Sequence, residues 1–401
     1  MRIFSWLCCL HLLLFTTANA QLAQSPPMGW NSWNYFGKNN VNEQVIKEVI
    51  DAIDTSGLKA AGYTYVVVDG GWRDNHLSSD GKLLPHPKKF PNGIKALADY
   101  AHSKGLKFGV HTVPGTYDCI GDDVGGYGRE EIHIQQFIDW GIDFIKLDLC
   151  RMQGEWNEKL IKDTYFKWHD ILARKKANML LSISAYEFRE WNPEVGQMSR
   201  TTQDISAVVA GMSGCKAVFD DTIPAEINKW DLLSVMDIAE ETNKWAAYAR
   251  PGYWNDPDML VTGDHGLSLA EQQSHFALWC IMSAPLMLGN DPRNMSPGER
   301  SIILNRDAIA VNQDDTEQGK RVYAKDGVEI WAKKMKNETF GVLLLNRDKQ
   351  RTRKIKLNLN MLGVNRSVQL RDIYQQRDLG RFRKKITMSV PASSSIFLRI
   401  N

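Results

Sequence analysis

The feature that most restricts the fold of this chain is a recurrence. Eight short apolar runs follow one another: "MGWNSW" (28–33), "TYVVVDGG" (64–71), "LKFGVHTVP" (106–114), "FIKLDLC" (144–150), "MLLSISAY" (179–186), "MSRTTQDI" (198–205), "YWNDPDML" (253–260) and "APLMLG" (284–289). Helix-length segments separate most of them. In the first such segment Val45, Ile46, Val49, Ile50 and Ile53 share one helical face. Strands that are apolar throughout and alternate with amphipathic helices suit a parallel sheet covered by helices. Eight such units over roughly 280 residues predict an α/β fold of the (β/α)8 TIM-barrel type.

After Asn312 the texture changes. "VEIWAKKM" (328–335), "TFGVLLLNRD" (339–348), "KIKLNLNML" (354–362), "SVQLRDIY" (367–374), "ITMSVPA" (386–392) and "SSIFLRI" (394–400) are short, alternating and separated by turn residues. They predict a C-terminal antiparallel β-sandwich domain. The expected division is a signal peptide over 1–20, a catalytic barrel over 21–314 and a sandwich over 315–401. The leader "MRIFSWLCCLHLLLFTTANA" has an early Arg, an apolar stretch too short to span a membrane and a small-residue ending at Ala20. It predicts an exported protein, periplasmic or secreted and not membrane-spanning. The triplets at Asn294, Asn337 and Asn365 are glycosylation sequons of the kind that also arise by chance.

Removing the leader leaves Cys119, Cys150, Cys215 and Cys280, too widely spaced for a zinc framework and open to one or two disulfides. The formal charge of +2 gives no reason to expect nucleic acid as a partner. Lys and Arg outnumber acids in the C-terminal part, including "RFRKK" (381–385); a solvated basic face is the safer reading, contact with an anionic polysaccharide the sharper one. "DNHLSSDG" (74–81) lacks the acidic end of a calcium loop and reads as a turn.

"FIKLDLC" poses the functional question, because Lys146 and Asp148 fall on one face of a strand that should be buried. In a barrel the C-terminal strand ends form the active site. Trp33, Asp69, His111, Lys146, Asp148, Arg200, Asp204 and Asp258 all lie at or just beyond the ends of apolar runs. Several carboxylates with one Lys, one Arg and aromatic walls suit glycoside hydrolysis, which needs two carboxyl groups flanking the scissile bond. Metal binding fits less well, since compact ligand spacing is missing and Lys146 repels a cation. No cofactor is expected.

These motifs are specific enough to carry a resemblance. "SPPMGWNSWNYF", "FPNGIKALADYAHSKGLKFGV", "WGIDFIKLDLC", "SRTTQDI", "PGYWNDPDMLVTG" and "SAPLMLGNDPRNMS" resemble, in order, the signatures of glycoside hydrolase family 27, the α-galactosidase and α-N-acetylgalactosaminidase family. The resemblance implies an exo-acting retaining hydrolase that removes terminal α-linked galactose. It implies Asp148 as nucleophile, Asp204 as acid/base, and Lys146, Arg200, Asp258 and Trp33 around the sugar. It also implies a Cys119–Cys150 disulfide, leaving Cys215 and Cys280 as buried free thiols.

The sequence departs from the family at its sugar contacts. Asp69 is followed by Gly70 where the family usually has a second acid, and His111 stands where it usually has Tyr. In "SISAYEFREW", where the family reads the sugar's 2-substituent, either Tyr186 or Glu187 can serve, and Glu187 is the binding candidate. The alternatives are therefore the same chemistry on another sugar, such as a β-L-arabinopyranoside or an α-glucosyl or isomaltosyl unit, or a non-catalytic carbohydrate-binding barrel.

Overall fold

The structure, a computed structural model, describes residues 22–209, 216–225, 228 and 231–401. The leader and Cys215 lie outside the described residues.

The barrel strands are β1 (Met28–Asn31) and β2 (Tyr65–Val68), then, after a hairpin of β3 (Arg73–Leu77) and β4 (Leu83–Pro85), β5 (Lys107–Thr112), β6 (Phe144–Asp148), β7 (Leu180–Ser184), β8 (Met198–Arg200), β9 (Trp254–Asp256) and β10 (Leu286–Leu288). They form one eight-stranded sheet in the order β10-β1-β2-β5-β6-β7-β8-β9, with every pairing parallel. A parallel bridge from Leu260 to Leu288 joins its two ends. All eight expected strands are present, each shorter than its apolar run. The hairpin is new, and its turn falls on the "DNHLSSDG" segment, where Gly81 N donates to Ser78 O at 2.9 Å.

Strand alternation explains the polar cluster. Side chains two apart share a face, so Tyr65 and Val67 lead to Asp69, Gly109 to His111, and Phe144 to Lys146 and Asp148. Tyr65, Val67, Phe144, Leu180, Met198, Met259 and Met287 fill the barrel interior as a separate apolar cluster. Gly109 is part of that packing, since a Cβ there would lie 2.7 Å from Phe144 Cβ. The register then aligns His111 with Lys146 and Lys146 with Ser182, and Asp148 with Ser184. The lower layer is apolar and the upper layers are polar. Outside the sheet, the helix Glu43–Thr55 buries Ile46, Val49, Ile50 and Ile53, as its spacing predicts.

The C-terminal domain contains β11 (Lys320–Lys325), β12 (Val328–Met335), β13 (Thr339–Asn346), β14 (Arg353–Asn358), β15 (Val368–Asp372), β16 (Arg377–Phe382), β17 (Lys385–Val390) and β18 (Ser394–Ile400). Six form an antiparallel sheet, β11-β12-β13-β18-β15-β16, and β14 and β17 form a second, two-stranded layer. Ile330, Val342, Leu344, Leu398 and Ile400 of the larger sheet pack with Ile355, Leu357, Ile386 and Val390 of the smaller. The opposite face of the larger sheet sends Trp331, Leu343, Leu345 and Phe397 into the barrel's outer core.

One charged residue sits in that joint. Lys333 is fully buried, and its Nζ donates to Val311 O at 2.6 Å, Asn312 O at 3.2 Å and Asp314 O at 2.7 Å. It closes the end of the helix Arg306–Gln313, whose last carbonyls lack helical partners. Burial lowers its pKa to about 8, against the opposing pull of Asp314.

Candidate active site

The pocket has two walls. On the first, β1, β2, β5 and β6 bring together Asn31, Asp69, His111, Lys146 and Asp148. Asp69 is held from three directions: Asn31 Nδ2 donates to its Oδ2 at 2.8 Å, Lys146 Nζ reaches the same oxygen at 2.8 Å, and its N–H donates to Ser32 Oγ at 2.9 Å. Burial alone would raise its carboxyl pKa, but Lys146 and His111 outweigh that and hold it well below the ordinary range. Burial likewise disfavours the Lys146 ammonium, and Asp69, Asp148, Asp204 and Asp258 more than reverse the effect. The lysine stays charged because carboxylates surround it.

Asp148 is 8% exposed. Its Oδ2 lies 3.1 Å from His111 Nε2, which donates when protonated at that nitrogen. Burial works to raise its pKa; the His111 bond and the Lys146 charge overcome this, so the carboxyl lies below its usual value. Its Oδ1 is buried with no partner, as are His111 Nδ1, Ser184 Oγ and Arg200 Nε. Such groups are costly to leave unpaired, and all four belong to residues of the two walls.

The second wall comes from β7, β8, β9 and the turns that follow. Arg200 Nη1 donates to Asp204 Oδ1 at 2.9 Å, and its Nη2 lies 3.1 Å from Asp258 Oδ2. Asp258 has a φ of 76°, a left-handed conformation that Asp tolerates better than most residues. Its carboxylate accepts the N–H groups of Ile205 and Met259, both at 2.8 Å, which fixes the turn entering the Asp204 segment. Asp204 stands at the mouth, its side chain 45% exposed. Desolvation by the walls raises its pKa, and repulsion from Asp258 and Asp148 adds to this against Arg200. The two carboxyls are thus displaced in opposite directions.

Asp256 and Tyr186 also belong to the site, although the sequence singled out neither as its preferred candidate. Asp256 is buried and accepts Asp258 N at 2.9 Å. Burial pushes its pKa up to about 6, with Asp258 adding and Arg200 opposing. Tyr186, at a φ of 61°, lies near Asp148, and burial followed by the charges of Asp148 and Asp204 keeps its phenol protonated. Glu187, the candidate from this loop, is placed otherwise. Its side chain is 63% exposed and paired with Arg189 at 2.5 Å, and Arg189 in turn binds Glu158. The left-handed turn at Tyr186 keeps the phenol near Asp148 and leaves Glu187 on the rim. A cleft of about 410 Å³ adjoins this loop, lined among others by Tyr186, Glu187, Thr202 and Gln203.

Trp33 lies against Gly70: a Cβ on that glycine would stand 3.1 Å from Trp33 Cζ3. Gly70 does not adopt a left-handed φ, so its backbone does not require glycine there. The small residue gives the indole its place. Cys119 and Cys150 form a disulfide beside Asp148, and Cys280 is a buried free thiol. Among the described residues, His111, Asp148 and Cys150 come close enough together to hold a metal. They do not suit one, because the disulfide consumes the thiol and Lys146 adds a cation nearby.

Known proteins resemble this chain in both sequence and fold. Residues 25–314 match the family described as Alpha galactosidase A, and residues 325–400 match the Alpha galactosidase C-terminal beta sandwich domain. An α-galactosidase of Oryza sativa subsp. japonica is 37% identical over 330 residues, covering 81% of this chain and 72% of the rice protein. Alpha-galactosidase 2 of Arabidopsis thaliana is 35% identical, covering 93% of this chain and 88% of its own. The crystal structure of α-galactosidase I from Mortierella vinacea superposes with a TM-score of 0.87 at 34% identity, covering 96% of this chain and 98% of the other. With both of its domains matched, the chain belongs to the glycoside hydrolase 27 α-galactosidase (melibiase) family, C-terminal β-sandwich included.

Proposed function

We propose that the protein is an exo-acting retaining glycosidase that releases terminal α-linked galactose from oligo- or polysaccharides. The observation that carries the reading is the opposed displacement of two carboxyls in one pocket. Asp148 is held ionised, and Asp204, raised, keeps its proton to higher pH than an ordinary aspartic acid. Pairs of carboxyls pushed apart in this way divide into nucleophile and acid.

The chemistry follows from that division. The Asp148 carboxylate attacks the anomeric carbon, and the His111 bond to its Oδ2 keeps it oriented and ionised. Asp204 gives its proton to the departing glycosidic oxygen as the bond breaks, leaving a glycosyl ester on Asp148. Asp204, now a carboxylate, takes a proton from water as that water attacks the same carbon from the face the leaving group vacated. The Asp148 ester bond breaks and the anomeric configuration is retained. Arg200 bonds Asp204 in its charged form, and Lys146 supplies donors to ring hydroxyls beside Asp69.

The test is turnover of an aryl α-galactoside with the first-formed sugar followed by NMR; an inverted product rejects these roles. Gly70 favours a second reading, since a pocket with glycine in place of a second acid, packed on the Trp33 indole, offers less to a sugar's exocyclic hydroxyl. β-L-Arabinopyranose has the galactose ring without that group. Selective turnover of an aryl β-L-arabinopyranoside over the galactoside would replace the first assignment, whereas turnover of neither would leave only carbohydrate binding. Export, periplasmic or secreted with cleavage near Ala20, is part of this proposal; the N-terminal sequence of the protein recovered from its host tests it.

A further inference from the structure

The outermost layer of the C-terminal domain is the β14–β17 pair. Its inward side chains, Ile355, Leu357, Ile386 and Val390, are buried against the larger sheet, and that sheet's far side packs on the barrel. The second face of the pair therefore looks into solvent, away from the barrel. Alternation and register place Lys354, Lys356 and Asn358 on that face opposite Ser389, Thr387 and Lys385, and all six are exposed. Arg383 and Lys384, in the turn entering β17, are exposed as well.

These cations are left unneutralised. None of the five makes an ion pair among the described residues, as holds for most Lys and Arg of this domain, although Arg347, Arg353 and Arg371 are paired. The face also contains no acid. The imbalance extends to the whole domain: residues 315–401 hold 20 Lys and Arg against 8 Asp and Glu, and the remainder of the chain holds 29 against 39. The overall +2 hides two halves of opposite sign.

We propose that this face docks an acidic polysaccharide of the polyuronate type, a polymer with one carboxylate per sugar. The lysines are spread along two strands, separated by Asn358, Thr387 and Ser389, rather than gathered into a pocket for a single multivalent anion. That pattern meets evenly spaced single charges, and the intervening amide and hydroxyls can bond sugar hydroxyls. The face has no aromatic side chain, so it lacks the stacking platform that single-stranded nucleic acid binding uses. The acidic excess of the barrel repels the same polyanion, which directs it to the sandwich and away from the catalytic mouth. A polymer held there keeps its neutral branches at high local concentration around the pocket.

Binding is measured directly, so this proposal stands or falls apart from the catalytic one. The full chain is run through native gels containing polygalacturonate, a sulfated galactan, a neutral galactomannan or no polymer, and titrated separately with duplex DNA. Polygalacturonate is expected to retard it most, galactomannan not at the basic face, and the retardation to vanish in 0.5 M salt, as charge screening requires (about 3–4 Å Debye length). A Lys354→Glu/Lys356→Glu/Lys385→Glu variant is expected to bind at least about tenfold more weakly, a loss of about 1.4 kcal/mol, with aryl-galactoside turnover unchanged. The milder Lys354→Gln/Lys356→Gln/Lys385→Gln variant should lose part of the affinity. No retardation at low salt, undiminished retardation of both variants, or tighter binding to sulfated galactan or DNA would overturn the proposal.

Discussion

The two walls of the pocket treat their carboxylates differently. On the β1–β6 wall, charges are deep and densely paired: Asp69 takes Asn31 and Lys146, and Asp148 takes His111. On the β7–β9 wall, one arginine is shared between Asp204 and Asp258, and Asp204 remains 45% exposed. Dense pairing keeps an acid ionised, while thin pairing among like charges lets an acid hold a proton. The contrast teaches that two chemically identical side chains are given different surroundings, which is what the proposed division of labour requires. It also indicates which substitutions should hurt most.

The largest effects test the division itself. Asp148→Ala is expected to cost on the order of 10⁴–10⁶ in kcat, as nucleophile removal does elsewhere. Asp204→Ala should cost about 10²–10⁴ with a poor leaving group and much less with an activated aryl one. Added azide separates the two. Acting on the Asp148 variant it replaces the nucleophile and should yield the β-galactosyl azide, whereas in the Asp204 variant it intercepts the glycosyl-enzyme and should yield the α-azide. The same anomer from both variants would collapse the contrast between the walls.

Lys146→Met strikes the dense wall directly and the other wall only through longer-range charge. It strands Asp69 and weakens the hold on Asp148, and breaking a buried pair costs about 3–5 kcal/mol. The pH dependence follows from the sign of the Asp69 shift. A carboxyl whose folded pKa is depressed adds stability above its unfolded pKa, and that stability is lost as pH falls through the folded pKa. Without Lys146 that contribution disappears, so urea midpoints should fall most near neutrality and acid unfolding should begin at higher pH. A midpoint unchanged at pH 7 would show that the dense wall needs no cation.

The pH–rate profile compares the walls in the intact enzyme. Its acid limb should report Asp148, which must be ionised, and its alkaline limb Asp204, which must be protonated. His111→Phe removes the bond that helps lower the Asp148 pKa, so the acid limb of kcat/KM should move to higher pH while the alkaline limb stays in place. Movement of both limbs together would mean that the carboxyls titrate as one unit.

How much of this was legible in the sequence depended on burial. The eight barrel strands and six of the sandwich strands announce themselves because a buried strand must be apolar on at least one face. The strands that went unread are the β3–β4 hairpin and β11 and β16, and the last two are the opposite edges of the six-stranded sheet. "KRVYAK" and "RDLGRF" are largely exposed and charged, as edges that must avoid pairing with other chains tend to be. At the site, inward alternation after "VVVD" and "FIKLD" made Asp69, Lys146 and Asp148 readable. Asp256 was hidden, because two aspartates two residues apart in "WNDPDML" do not reveal which fixes the turn and which meets Arg200.

The loop after β7 gave the sequence two polar neighbours and no rule for choosing between them. Strand alternation stops at Ser184, and the direction beyond it is set by the left-handed residue Tyr186, which no periodicity foretells. The smallest predicted effect therefore tests the choice the geometry makes. Tyr186→Phe removes a hydroxyl that lies near Asp148, and a hydrogen bond made there to charge in the substrate complex is worth about 1.5–3 kcal/mol. It should lower kcat/KM by roughly tenfold or more. Glu187→Gln alters an exposed side chain already neutralised by Arg189, and surface changes of that kind stay within about 0.5 kcal/mol. Its kcat/KM on a small aryl glycoside should remain within roughly twofold of the parent, because 0.5 kcal/mol is little more than a factor of two. The reverse ranking would mean that the loop turns over when sugar binds and brings Glu187 inward. In that event the thinly paired wall would gain a third carboxylate, and the Asp204 pKa in the substrate complex would rise further, visible as a shift of the alkaline limb of kcat but not of kcat/KM.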